Sequence, residues 1–480
     1  MVLLTALACT ASALADGLTQ KIDSALADPR LRGAKVAVEV RALGTGRVLY
    51  SKNASEKLIL ASNEKLLVAA TALRELGPRY EFTTQLMSVS PDALRGHALS
   101  GGLVLRGGAD PTLGSPSAGE EPLQQFGEWA DKLLAMGVER IEGDLIVDDS
   151  FLDPVRIHPD WPDSQLWRSY YAPVSALSLN DNCVSVEVKP GAAAGSPAVL
   201  TMSPEVPFLK FANRCKTSAK KHSIWFSRES GGLIITVGGY VKLGTQGYTG
   251  SVTVPHPALF AGAVLAGVLK EKGIRLEGTV RLAGGEDLAG RRDWRVLAER
   301  RTPIARVLSV MLKDSQNMYA EHVIKAVGAH ASGGEGGSWE AGLARTAAML
   351  RAYHFRPDSF SLADGSGLSR DNRASAQALC EVLVEMDRSE AGRELRGMLS
   401  VAGVDGTLRR RLRTAPYKGN VEGKTGYLRG VGALSGYART RSGVRVAFSI
   451  LINDFKPAGN NSAMKQIEDS LARAIVDAAR

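Results

Sequence analysis

Leu60-Ala61-Ser62-Asn63-Glu64-Lys65-Leu66-Leu67-Val68-Ala69-Ala70-Thr71-Ala72-Leu73 joins a Ser-x-x-Lys tetrad to an apolar helical run. Residues three apart share a helix face, so the Ser62 hydroxyl and the Lys65 amine can meet where that helix begins. A serine hydroxyl becomes a useful nucleophile when a neighbouring base takes its proton. Lysine can be that base once its pKa falls from about 10.4 toward neutrality, a cost of roughly 4 kcal/mol that burial and a second cation can supply. The start of a helix also offers N–H groups and positive dipole to a developing oxyanion. The same tetrad recurs at Ser218-Ala219-Lys220-Lys221, inside a polar basic loop, where it reads as a solvated charge run.

Outward from this helix, Lys35–Arg41 alternates apolar and polar residues, turns at Gly44-Thr45-Gly46 and returns through Arg47–Tyr50, the pattern of a β-hairpin. Near the other end, Gly430–Ala438 and Val444–Ile452 alternate in the same way. Met464, Ile467, Leu471 and Ile475 then recur at helical spacing. Helical patterns occupy Pro303–Leu312, Met318–Val327, Trp339–Ala352 and Ser375–Met386. The expected fold class is α+β: one antiparallel sheet joining N- and C-terminal strands and covered by helices. Short β-like runs dominate 81–294, with one helical pattern near Leu123–Met136. That block reads as a large, mainly β insertion built of two nested domains, between 16–80 and 295–480.

The chain has 480 residues, 44% apolar and 23% charged, a composition that supports a large core rather than disorder. Its net charge of +9 is a basic surface bias. The clusters Lys216–Lys221 and Arg409–Arg413 have no interleaved aromatics in sequence, so nucleic acid is not an expected partner. Residues 1–15 are uncharged, mostly apolar and end Ala13-Leu14-Ala15, which reads as a signal peptide without a basic n-region and points to export. No other run is long enough to span a bilayer. Cys9 would leave with that segment, and Ala6-Leu7-Ala8 before it fits a lipoprotein site poorly. Cys183 and Cys215 either pair in an oxidising compartment or stand as two separate buried thiols, and Cys380 falls on the apolar side of a helix. No Cys/His spacing suggests a metal site.

Two further motifs follow the tetrad. Ser315-Gln316-Asn317 lies between two helical patterns and can project a hydroxyl and an amide into a cleft. Lys424-Thr425-Gly426 occurs once and is expected to open the penultimate strand. Lys424 and Thr425 offer a cation and a hydroxyl to a substrate carboxylate, and Gly426 lets a ligand approach the strand closely. Tyr427 would supply a backbone N–H that pairs with that of Ser62 as an oxyanion hole.

S-x-x-K, S-x-N and K-T-G in this order resemble the penicillin-recognising serine enzymes. Ser315 follows Ser62 by 253 residues, and this long separation is similar to that of the class C low-molecular-mass penicillin-binding proteins, the D-alanyl-D-alanine carboxypeptidase/endopeptidases. Leu105–Leu113, Gly143–Ser150, Ala172–Asn182 and Asp364–Arg370 resemble that family too, and the likeness spans Ala34 to Asn453. Leu60 stands where the family often has proline. The resemblance implies a transpeptidase/β-lactamase-like domain with an insertion, and an exported enzyme of the periplasm or cell-wall space. It implies Ser62 as nucleophile, Lys65 as base, Ser315 and Asn317 as the second catalytic element, and Lys424 with Thr425 as anchor for a terminal carboxylate. The implied partners are peptidoglycan stem peptides and β-lactams as covalent inhibitors, with no metal or cofactor. Two other functions fit the same motifs: a β-lactamase or esterase, and a catalytically silent wall-binding protein. Gly-, Asp- and Pro-rich stretches such as Asp364–Arg370 read as turns without chemistry of their own.

Overall fold

A computed structural model describes residues 16–456 and 461–478. Residues 1–15, with the proposed leader and Cys9, lie outside the described residues. The chain divides into two compact units, one formed by residues up to Tyr80 with Ile304–Ala331 and Trp339–Arg480, the other by Glu81–Pro303 with Ser332–Ser338.

In the first unit six strands form an antiparallel sheet in the order Val48–Lys52, Lys35–Ala42, Arg445–Asn453, Val431–Arg439, Glu422–Leu428, Ser400–Val401. The chain's two ends meet in its middle, where Val38 pairs with Ile450 and Val40 with Phe448. Alternation sends Val36, Val38 and Val40 to one face, where they pack with Met464, Ile467, Leu471 and Ile475 of the Asn461–Val476 helix. Burying each such side chain is worth about 1.5–3 kcal/mol, so this helix is held by its apolar stripe. The Glu64–Glu75 and Asn317–Ala331 helices are buried on nearly every side, so charged residues within them such as Lys65 and Glu321 are buried as well. One sequence expectation needs correction. Lys424-Thr425-Gly426 does not open the penultimate strand but sits inside Glu422–Leu428, the third strand from the end. The chain turns back after Leu428, and Gly430 takes a left-handed φ of 75° before the next strand.

The second unit holds a five-stranded mixed sheet with the Gln124–Ala135 and Pro257–Glu271 helices. Its 183–253 segment makes two further three-stranded sheets. A single apolar cluster runs from Leu86 and Phe126 to Val186, Val237 and Phe260. Cys183 and Cys215 are buried free thiols on different sheets of this unit, and Cys380 is a buried free thiol in the first unit. Among the described residues no helix is long and apolar enough to cross a membrane.

Candidate active site

Ser62 sits in a single 3-10 turn, Ala61–Asn63, that runs directly into the Glu64–Glu75 helix. Ala61 before it has a φ of +46°, and Ser315 has a φ of +61°. A non-glycine residue held left-handed costs about 1–3 kcal/mol, so the surrounding packing fixes both serine-bearing turns against that preference. Gly367, itself left-handed, packs on the Ser62 turn so closely that a Cβ there would lie 1.9 Å from the Ala61 carbonyl oxygen. Gly426 approaches from the other side, where a Cβ would lie 3.1 Å from both the Ser62 nitrogen and the Leu60 oxygen. The Lys-Thr-Gly strand therefore lies against the backbone of the Ser62 turn, and Tyr427 follows with its side chain exposed.

Lys65 is completely buried. Its Nζ donates to Ser62 Oγ at 3.1 Å, to Asn317 Oδ1 at 2.8 Å and to the Ser366 carbonyl oxygen at 2.7 Å. Lys424, also buried, donates from Nζ to Ser315 Oγ at 2.7 Å and to the Thr425 carbonyl oxygen at 2.7 Å. Thr425 donates from Oγ1 to Thr407 Oγ1 at 2.9 Å. The three sequence motifs thus converge, and all eight candidate residues lie in one region. Ser62, Ser315, Thr425, Gly426 and Tyr427 line a cavity of about 380 Å³ whose far wall includes Arg411 and Glu468.

The two lysines differ in their electrostatic surroundings. Burial pushes both amines down. For Lys65 the carboxyl groups of Glu321, Asp364 and Glu64 oppose that push, leaving its pKa at about 8. Lys424 has no such acid acting on it; Lys65 adds repulsion, so it is driven well below its ordinary value.

Sequence reasoning missed the frame behind Lys65. Glu321 accepts from the Gly365 and Ser366 N–H groups at 2.7 and 2.9 Å and from Trp339 Nε1 at 2.8 Å. Asp364 accepts from the Gly367 and Ser369 N–H groups, each at 2.7 Å, and from Asn372 Nδ2. These two buried carboxyls bind the Asp364–Ser369 loop and so fix the carbonyl that holds Lys65. Burial and Asp364 raise the pKa of Glu321 to about 7. Glu64 is raised well above its ordinary value, mainly by burial, and neither of its oxygens has a hydrogen-bond partner. The available signal was spacing: Glu321 follows Asn317 by one helical turn, on the same face. Arg411 was hidden in the Arg409–Arg413 run; it is buried and paired with Glu468 at 2.9 Å and Asp469 at 2.8 Å, while Arg409, Arg410 and Arg413 are exposed.

A family model for D-Ala-D-Ala carboxypeptidase 3 (S13) matches residues 18–474. The D-alanyl-D-alanine carboxypeptidase of an Actinomadura species is 33% identical over 93% of this chain and 83% of its own length. The crystal structure of penicillin-binding protein 4 from Haemophilus influenzae has a TM-score of 0.78 at 25% identity, covering 96% of this chain and 97% of that one. The same protein crystallised with a β-lactam has a TM-score of 0.74 at 24% identity, over 96% and 99%. With a family model spanning nearly all of its described residues and a relative one-third identical along most of its length, the chain belongs to the D-Ala-D-Ala carboxypeptidase 3 (S13) family.

Proposed function

We propose that Ser62 is the acylated nucleophile of a D-alanyl-D-alanine carboxypeptidase and D,D-endopeptidase acting on peptidoglycan stem peptides. The observation that carries this reading is the 3.1 Å contact between Lys65 Nζ and Ser62 Oγ, made by an amine whose pKa burial has lowered to about 8. Neutral Lys65 takes the Oγ proton as Oγ bonds to the carbonyl carbon of the penultimate D-Ala. The Ser62 and Tyr427 N–H groups hold the resulting oxyanion. The C–N bond then breaks, and the leaving nitrogen takes the Ser315 proton. That hydroxyl is free to donate because its oxygen already accepts from Lys424. Lys65, held by Asn317, then gives the proton lifted from Ser62 to Ser315 Oγ, which returns both groups to their starting forms. Water hydrolyses the ester and regenerates Ser62.

Lys424 and Thr425 anchor the terminal carboxylate. An incoming carboxylate supplies the negative charge that no neighbouring acid supplies to Lys424 in the free site, so substrate binding raises the pKa that burial had lowered. A β-lactam follows the same acylation, but its leaving nitrogen stays tethered, which slows deacylation. We propose export to the periplasm or wall space, directed by residues 1–15, and an insertion of two nested accessory domains, the inner one at 183–253. The test is mass spectrometry after exposure to penicillin. One penicilloyl adduct is expected on the peptide containing Ser62 and none on the Ser62→Ala protein. An adduct elsewhere, or rapid catalytic turnover of penicillin without accumulation, overturns the reading.

A further inference from the structure

The second unit carries a surface that the chemistry of Ser62 does not use. Strands Lys210–Ser218, Ile234–Lys242 and Ser223–Ser227 form a three-stranded sheet. Its register sets Arg214 and Trp225 on either side of Gly238, and Lys216 and Ser223 on either side of Tyr240. Paired residues share a face. The opposite face, with Cys215, Phe226, Val237 and Val241, is buried in the apolar cluster of the unit. The outward face carries Lys210, Arg214, Lys216 and Lys242 together with Trp225 and Tyr240, and no strand position on it is Asp or Glu. Segment 183–253 as a whole has eight Lys and Arg against three Glu and no Asp.

The rings on this surface are laid flat and left open. A Cβ on Gly238 would lie 2.1 Å from the Trp225 indole, so this ring rests directly on the neighbouring strand, and Trp225 remains 47% exposed. Lys221 Nζ stands 5.0 Å from the centroid of Tyr240, which is 40% exposed. Trp225 also borders a groove of about 550 Å³ lined by Trp167, Arg168, Tyr170, Phe226 and Tyr248. In the groove the Arg168 guanidinium lies 4.4 Å from the Trp167 ring centroid, and Phe226 stacks on Tyr248 at 5.9 Å. Exposed aromatics clustered with polar groups mark a binding surface rather than a core.

We propose that this face and groove bind an anionic polysaccharide, a cell-wall glycan strand freed of its stem peptides, whose lactyl groups are then carboxylates. Flat indole and phenol rings match the C–H faces of pyranose rings, and the surrounding cations complement carboxylates along such a strand. The charge argument chooses an acidic glycan over a neutral one. The inference goes beyond the acyl-transfer reading, and its test involves no turnover, so either can fail alone.

The experiment measures binding of full-length Ser62→Ala protein to glycan strands enzymatically stripped of stem peptides, whose freed lactyl groups are carboxylates. Saturable binding is expected, weakened at least tenfold between 50 and 300 mM salt on the order set by polyelectrolyte binding, and at least tenfold by Trp225→Ala. Arg214→Gln combined with Lys216→Gln, both at exposed positions, should weaken it about as much with unchanged thermal melting; this pair carries the test if Trp225→Ala fails to fold. Absence of binding, binding indifferent to both variants, or tighter binding of a polythymidylate of equal length would overturn the proposal.

Discussion

Ser62–Lys65 and Ser218–Lys221 are the same four-residue pattern in two surroundings. At the first, a buried helix start brings hydroxyl and amine to 3.1 Å and withholds water from the amine, while the hydroxyl faces the cavity. At the second, the Ser218 hydroxyl oxygen is occupied by backbone N–H groups of Lys220 and Lys221 at 3.2 and 3.0 Å, closing a turn. The Lys221 amine leaves that turn for solvent and the Tyr240 ring. The pattern supplies the atoms in both places. Desolvation lowers the pKa of a lysine toward that of a base, and of the two sites only the Lys65 amine is buried.

The comparison breaks most directly at the hydroxyls. Ser62→Ala should lower the rate of acylation by fluorescent penicillin on the order of 10³-fold or more, since no other group can form the ester. Ser218→Ala should leave that rate unchanged. Equal losses from the two substitutions would show that Ser62 is not the acylated residue. Next in size is the base. Burial lowers the pKa of Lys65 to about 8, and the proposed mechanism uses its neutral form as the base. Acylation should therefore rise about tenfold per pH unit below that value and level off above it. Lys65→Gln should lose about 10²–10⁴-fold and flatten the profile. A wild-type profile that falls with rising pH between 6 and 8 would remove Lys65 from this role.

The environment was only half legible in the sequence. Apolar spacing after Lys65 identified a buried helix, and alternation at Lys35–Arg41 and Val444–Ile452 identified strands that prove to be neighbours. Local pattern reached these because each is decided within a few residues. The frame behind Lys65 is decided by pairs such as Glu321 with Ser366, which are 45 residues apart in sequence. Asp364–Arg370 read as an ordinary turn because turn residues look alike whether or not a carbonyl in them holds an amine. Arg411 looked like the solvated arginines around it because burial of one arginine among the four of Arg409–Arg413 depends on Glu468 from the last helix. The strand carrying Lys424 was misplaced by one because its short glycine-bearing segment lacks a clear alternation, whereas its edge against Val431–Arg439 is explicit in the pairing.

Glu321 acts on the buried Lys65, whereas the Lys221 amine is exposed. Its carboxyl favours the charged form of Lys65 and accepts two loop N–H groups. Glu321→Gln removes the charge, so the midpoint of the acylation profile should move to lower pH, by on the order of one to two units for an interaction screened at an effective dielectric near 20. The amide can also satisfy fewer of the N–H groups, and a rate loss of about tenfold is expected from a loosened Ser366 carbonyl. Glu321 is a positioning residue, and the distinguishing measurement is the midpoint. A purely structural role would reduce the rate and leave the midpoint in place.

The smallest expected effect is at Lys221. Its amine is exposed and faces the Tyr240 ring at 5.0 Å, a contact worth about 0.5–1 kcal/mol at such a site. Lys221→Gln keeps the backbone N–H that Ser218 accepts, so the turn survives. Stability should fall by no more than about 0.5–1 kcal/mol in a denaturant titration, and acylation should stay within twofold of wild type. The contrast with Lys65→Gln is then several orders of magnitude for an identical change of side chain at the same position of an identical motif. A large loss of acylation in Lys221→Gln with normal stability would mean that the exposed tetrad communicates with the ester-forming serine, and burial would no longer suffice to separate the two.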